Sequence, residues 1–283
     1  MSARFGPAGN AADFPYKTSE RAPAWIAAQG LDCYEYQCGK GVHIGEESAR
    51  RIGAAAELAG IVLSLHAPYF INLANPDPDS RQKTIGYITA ACRAADWMGA
   101  RRVVIHSGAL MGRTRRQAME IALAALSAVL AACDDAGFGH IALCPETMGK
   151  INQLGDLDEV LELCGLDERL IPCVDFGHLY ARSLGREDGE EAMARILDKM
   201  AAALGQERAS RFHSHFSHIE FTPKGGEKCH RTFEDDGGYG PDWTPLARQV
   251  AARGWSPTFI CESAGTQARD AAEMKRIYQG LLP

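Results

Sequence analysis

The sequence predicts an α/β fold: one eight-stranded parallel barrel, (β/α)8, with its helices outside, spanning residues 1–283. Three observations carry that prediction. Short apolar runs alternate with amphipathic segments along the whole chain. Dividing 283 residues among eight units gives about 35 per unit, close to the ~31 of a 250-residue barrel. No Pro/Ser-rich linker breaks the alternation, and neither a GxGxxG turn nor a Walker lysine loop follows a strand, which counts against a doubly wound open sheet.

In chain order the expected strands are Ala3–Gly6, Cys33–Gln37, Ile61–His66, Arg102–His106, His140–Glu146, Leu170–Asp175, His213–Phe221 and Thr258–Glu262. Several are near-continuous Val/Ile/Leu/Cys runs, as parallel strands covered on both faces require. Between them, apolar residues three and four apart mark helices at Glu46–Ala59, Arg81–Met98, Gln117–Ala136, Glu190–Leu204, Thr244–Arg253 and Ala268–Gln279. Gln117–Ala136 is the clearest, rich in alanine and leucine and stopped by Gly137.

Composition narrows the function classes. At 46% hydrophobic and 23% charged residues the chain is neither disordered nor fibrous. No apolar stretch reaches the ~18 residues of a membrane span. Met1–Tyr16 lacks the basic start and apolar core of a signal peptide, so a cytoplasmic protein is expected. Nine cysteines with no CxxC pair fit reduced thiols better than a disulfide framework. A net charge of −6 argues against a broad basic nucleic-acid coat and leaves room only for a local basic cleft.

The chemistry sits where the expected strands end. His66 closes IVLSLH, His106 closes RRVVIH, Glu146 closes HIALCPE, Asp175 closes LIPCVD, His215 lies in RFHSHFSHIEF, and Glu262 closes TFICE. In a barrel the strand C-termini converge on one rim. One histidine at a strand end is ordinarily satisfied or solvent-facing, and one buried carboxylate is ordinarily a paired charge. Recurrence at the same end of successive units changes that reading, because ending apolar strands in acids is costly unless the charges are paired or metal-bound. With His178 and His230 added, eight donors exceed what one tetrahedral ion takes. The mixed set suits zinc, with manganese possible at the carboxylate-rich positions. His213 shares a strand face with His215 and so is expected near the mouth.

The segments LSLHAPYFINLANP, VVIHSGA, CPETMGK, VDFGHLYA, HSHFSHIEF and CESAG resemble the endonuclease IV family of apurinic/apyrimidinic endonucleases, within the xylose-isomerase-like TIM barrels, from about His66 to Glu262. The resemblance implies that His66, His106 and Glu146 hold one metal. Glu146 as a bridge, Asp175, His215 and Glu262 would hold a second, and His178 with His230 would contribute to a third. It also implies zinc-dependent hydrolysis of DNA 5′ to abasic sites, with Glu146 and Glu262 acting on the attacking water. Tyr69 falls at the family's DNA-facing loop, and Phe70 beside it could act as an apolar wedge. Arg113, Arg115 and Arg116 are the expected phosphate contacts.

The chain departs from the family pattern near its last histidine, where an aspartate is replaced by Lys228. A lysine cannot ligate zinc while protonated. The expectation is therefore two tight ions and a weakened third site, with Lys228 supplying positive charge to the substrate phosphate. Glu227 could fill the gap only if the loop shifts by one residue. Two other readings stand beside this one. A sugar isomerase or epimerase on the same barrel would use Glu146, Asp175, His215 and Glu262 around one ion, leaving the other histidines surplus. A non-catalytic metal-binding protein would bind zinc without turnover.

Overall fold

The computed structural model describes residues 2–282. Eight strands run parallel: β1 (Arg4–Pro7), β2 (Cys33–Gln37), β3 (Val62–His66), β4 (Arg102–His106), β5 (Ala142–Glu146), β6 (Cys173–Asp175), β7 (His213–Phe216) and β10 (Thr258–Cys261). Their spatial order is β1-β10-β7-β6-β5-β4-β3-β2. The barrel closes where Ala8 bridges Glu35 and the Gly9 N–H donates to Glu35 O at 2.9 Å. Register pairs His106 with Glu146 and Asp175 with His215, which sets these four residues at the C-terminal rim.

Around the strands run α1 (Ala22–Ala28), α2 (Glu46–Ala59), α3 (Pro78–Met98), α4 (Arg115–Asp135), α5 (Leu157–Cys164), α6 (Phe176–Arg182), α7 (Gly189–Leu204), α8 (Gln206–Ala209), α9 (Trp243–Arg253) and α10 (Gln267–Gln279). Side-chain caps fix where the helices leave the rim. Thr114 and Gln117 form a capping box at α4, and Asp156 and Glu159 form one at α5. By length and composition α4 is long and apolar enough to cross a membrane. Here it lies on the barrel and buries Ala118, Met119, Ala122, Ala125, Leu126, Val129 and Cys133 against its neighbours.

Phe5, Phe216, Trp243 and Phe259 interlock where β1, β7 and β10 meet α9. Trp243 meets Phe259 edge-on at 4.8 Å and Phe216 at 5.0 Å between ring centroids. All nine cysteines are free, and all but Cys229 are buried.

The expected strand His213–Phe221 is two strands. After β7 the chain breaks at Ser217, and β8 (His218–Thr222) pairs antiparallel with β9 (Gly226–Arg231) as a separate hairpin. The cause is legible afterwards: β8 buries only Ile219, its other residues being half-exposed or exposed, and Pro-Lys-Gly follows as a turn. Helices α1, α5 and α6, which sequence periodicity does not single out, are each eight residues or shorter.

Candidate metal centre

Backbone carbonyls set three of the mouth histidines. His66 Nδ1 donates to Ala67 O and His106 Nδ1 to Tyr69 O, both at 2.7 Å, and His178 Nδ1 donates to Thr147 O at 2.8 Å. With the Nδ1 proton held there, Nε2 is the nitrogen free to bind a ligand. His215 is reversed: Nε2 donates to Glu35 Oε1 at 2.9 Å, and Nδ1 lies 3.0 Å from Glu146 Oε1.

Glu146 is buried between two sets of rings. Its Oε2 faces His66 Nε2 at 3.3 Å and His106 Nε2 at 3.4 Å, while Oε1 faces His215 Nδ1 at 3.0 Å and His178 Nδ1 at 3.5 Å. One carboxylate oxygen per set is the geometry of a bridging ligand. Burial pushes the Glu146 carboxyl up, but attraction to His215 and hydrogen bonds from His215 and His66 hold it well below the ordinary carboxylate range. Burial pulls His66 and His178 down. The hydrogen bond and charge of Glu146 outweigh it for His66, and the charges of Asp175 and Glu227 do so for His178, raising each to about 9. Burial wins at His106, which falls to about 4.

Asp175 shows why a cation fits. Its Oδ1 caps α6 by accepting from His178 N at 2.7 Å. The other oxygen, Oδ2, is buried and accepts no hydrogen bond; it faces His178 Nδ1 at 3.4 Å, whose proton goes to Thr147. Burial raises its pKa, so the ionised form lacks a partner. A divalent ion among Glu146, Asp175, His215 and Glu262 would supply one, and the donor atoms of these four residues lie within 4.8 Å of one another. The same spacing joins His66, Glu146 and His215, then His178, Glu227 and His230, and, deeper in the barrel, Cys173, His213 and His215.

The third set depends on a β-bulge. In the hairpin Glu220 faces Cys229 and Phe221 faces Glu227, so Lys228 is the extra residue. On a regular strand residues 227 and 230 would point to opposite faces. The bulge turns both to the mouth, and Glu227 Oε2 lies 3.5 Å from His178 Nε2. Gly149 makes the room: a Cβ there would meet Glu227 Cβ at 2.7 Å and His178 Cδ2 at 2.9 Å.

The mouth is a cavity of about 320 Å³ whose walls include His66, His106, Glu146, His178, Glu227, His230 and Glu262, with Tyr69 and Lys150 at its edge. Lys150 is the only lysine or arginine on its wall among the described residues. Its loop is clamped: Arg182 donates to the carbonyls of Met148, Lys150 and Gln153, and Arg115 to those of Ile151 and Gln153. A larger open groove of 630 Å³ lies at the opposite end of β3, between α2 and α3. It holds none of these donor sets, and at that face a barrel carries stability rather than chemistry.

The profile of the family described as xylose isomerase-like TIM barrel matches residues 23–278. The chain belongs to that family. An uncharacterised protein of Methanocaldococcus jannaschii is 30% identical over 251 residues, covering 89% of this chain and 88% of that one. A probable endonuclease 4 of Mycoplasma pneumoniae is 30% identical over 141 residues, 48% of each chain. A crystal structure of a D-tagatose 3-epimerase-like protein superposes with a TM-score of 0.73 at 18% identity, covering 98% of this chain and 96% of that chain, which speaks to fold alone.

Within this xylose isomerase-like barrel, all eight residues expected as metal ligands converge on the mouth. Other expectations are corrected. Lys228 points away, with its side chain 54% exposed and Nζ 2.5 Å from Glu220 Oε1; Glu227 stands where its charge was expected. The arginine trio does not line the cavity. Arg115 is bound to Glu159, Arg116 to Glu120 and Glu162, and Arg113 donates to Met111 O. Tyr69 reaches the edge, whereas Phe70 stands outside the cavity wall, edge-on to Tyr87 at 4.9 Å. His213 lies below the mouth, bonded to Glu35. Glu35 and Lys150 were missed. No strand end or donor spacing marks either, although a lone acid in the apolar run CYEYQ is itself a signal.

Proposed function

We propose that this chain is a zinc-dependent phosphodiesterase that hydrolyses DNA on the 5′ side of abasic sites. The surplus of donors carries the reading. His66 and His106 gather on one oxygen of Glu146, and His178, Glu227 and His230 form a further set, beyond the four residues a one-metal enzyme needs. Bound divalent ions would acidify water toward a pKa of ~7 and offset charge developing on phosphate. Glu146, whose two oxygens face the two sets of rings, would help hold both ions. Glu262, whose Oε2 lies 3.6 Å from His215 Nδ1 and 4.0 Å from His230 Nε2, would orient the attacking water. Lys150 would anchor a phosphate oxygen at the edge, and the exposed Tyr69 ring would pack on the nucleic acid. With a net charge of −6, DNA contact would be confined to this mouth.

A second reading has its own support. Glu146, Asp175, His215 and Glu262 alone suit a one-metal sugar epimerase, in which two carboxylates would move a proton beside a carbonyl. One experiment separates the two: metal content per chain, measured together with cleavage of an abasic-site oligonucleotide and epimerisation of a ketose. About three zinc ions with cleavage supports the phosphodiesterase. A single ion with ketose turnover overturns it.

A further inference from the structure

Uncharged groups orient four of the five mouth histidines from behind. The carbonyls of Ala67, Tyr69 and Thr147 hold His66, His106 and His178, and the Ser217 hydroxyl bonds His230 Nδ1 at 2.8 Å. His215 is the exception, because a carboxylate stands behind it.

Glu35, in the middle of β2, has no exposed surface. Its Oε1 accepts from His215 Nε2 at 2.9 Å and Gln37 Nε2 at 3.1 Å; its Oε2 accepts from His213 Nε2 and Ser64 Oγ, both at 2.9 Å. A carboxylate whose lone pairs are filled this way is ionised and accepts only, so it requires a proton on His215 Nε2. The remaining nitrogen, Nδ1, is the one facing Glu146 Oε1 at 3.0 Å and Glu262 Oε2 at 3.6 Å. Glu35 cannot easily move aside. Its own backbone bridges Ala8 and pairs with Ser64, closing the barrel at that point.

We infer that Glu35 is a positioning residue: it locks His215 as the Nε2–H tautomer, leaving Nδ1 to ligate the ion shared with Glu146, Asp175 and Glu262. The inference rests on the metal-centre reading above and adds to it a group that never touches substrate. Partners of this kind, hydrogen-bonded to a metal-binding histidine, are commonly worth 10–100-fold in metal affinity. His213 belongs to the same device. It occupies the second oxygen of Glu35 and prevents that carboxylate from swinging away from His215.

The test uses the full chain and zinc alone. Glu35→Gln keeps the shape but gives one side of the group donors in place of acceptors. In the metal-free protein, at a pH high enough for His215 to carry a single proton, imidazole nitrogen shifts should move it from the Nε2–H form to a mixture. Competition with a chelator should then show one zinc site weakened by about 10–100-fold, with the others unchanged. If Glu35→Gln does not fold, Glu35→Asp, which keeps the charge and shortens the reach, reads the same two quantities with smaller shifts. An unchanged His215 tautomer, or wild-type affinity at every site in a folded variant, overturns the inference. Native protein that takes up no zinc while the tautomer still depends on Glu35 overturns the metal-centre reading instead.

Discussion

Two sides of the mouth were built by different means. His66, His106 and Glu146 end regular barrel strands, and each takes its place from the register of the sheet. Glu227 and His230 come from a hairpin outside the barrel, and a single extra residue decides which way they face. Donors on strand ends are fixed by architecture, so recurrence along the sequence finds them. Donors on an appended hairpin are fixed by local parity, which spacing alone cannot supply.

The strongest way to break the comparison is Glu146→Gln, because this residue serves both sides. Hydrolysis of an abasic-site oligonucleotide should fall to background and metal content should drop, with the circular dichroism spectrum unchanged. Full activity in the purified variant would remove its bridging role. A sharper cut falls on the hairpin. Glu227→Gln should lose one zinc equivalent per chain, whereas Lys228→Ala should keep the full count and change turnover by less than about twofold, as exposed pairs are worth little. Elemental analysis showing the reverse would restore the lysine to the site.

The smallest effect is a pH dependence. His66 and His178, raised to about 9, are protonated in the metal-free chain at neutral pH, so each must release a proton to ligate. Zinc affinity should therefore rise with pH until about 9. The same shifts govern the stability of the metal-free protein. Both folded values lie above the unfolded 6.5, so the stabilisation is complete below about pH 6.5 and is lost as pH rises through about 9. The urea midpoint of chelator-treated protein should fall across that window. His106, near 4, contributes nothing there. A midpoint that stays flat would remove both assignments.

The barrel and the convergence of the eight candidate donors were legible because apolar runs, helical periodicity and acids at strand ends all point to one architecture. What stayed hidden shares a cause. The break at Ser217 and the bulge at Lys228 each alter facing by one residue, and a sequence counted in twos reads through both. Arg113, Arg115 and Arg116 lie on the expected side of the barrel, but sequence cannot show that Glu159 and Glu162 already occupy two of them. Glu35 was overlooked for the opposite reason: it sits mid-strand, where its partners arrive from β3 and β7 and leave no periodic trace.

Gly149 ties together segments far apart in the chain. Lys150 bridges Gly226, 76 positions later (226 − 150), and the space above Gly149 is filled by Glu227. The loop beneath is held from both sides by Arg115 and Arg182. Glu227 therefore reaches the mouth only because the residue beneath it has no side chain, and any side chain at position 149 would wedge the hairpin away from the loop.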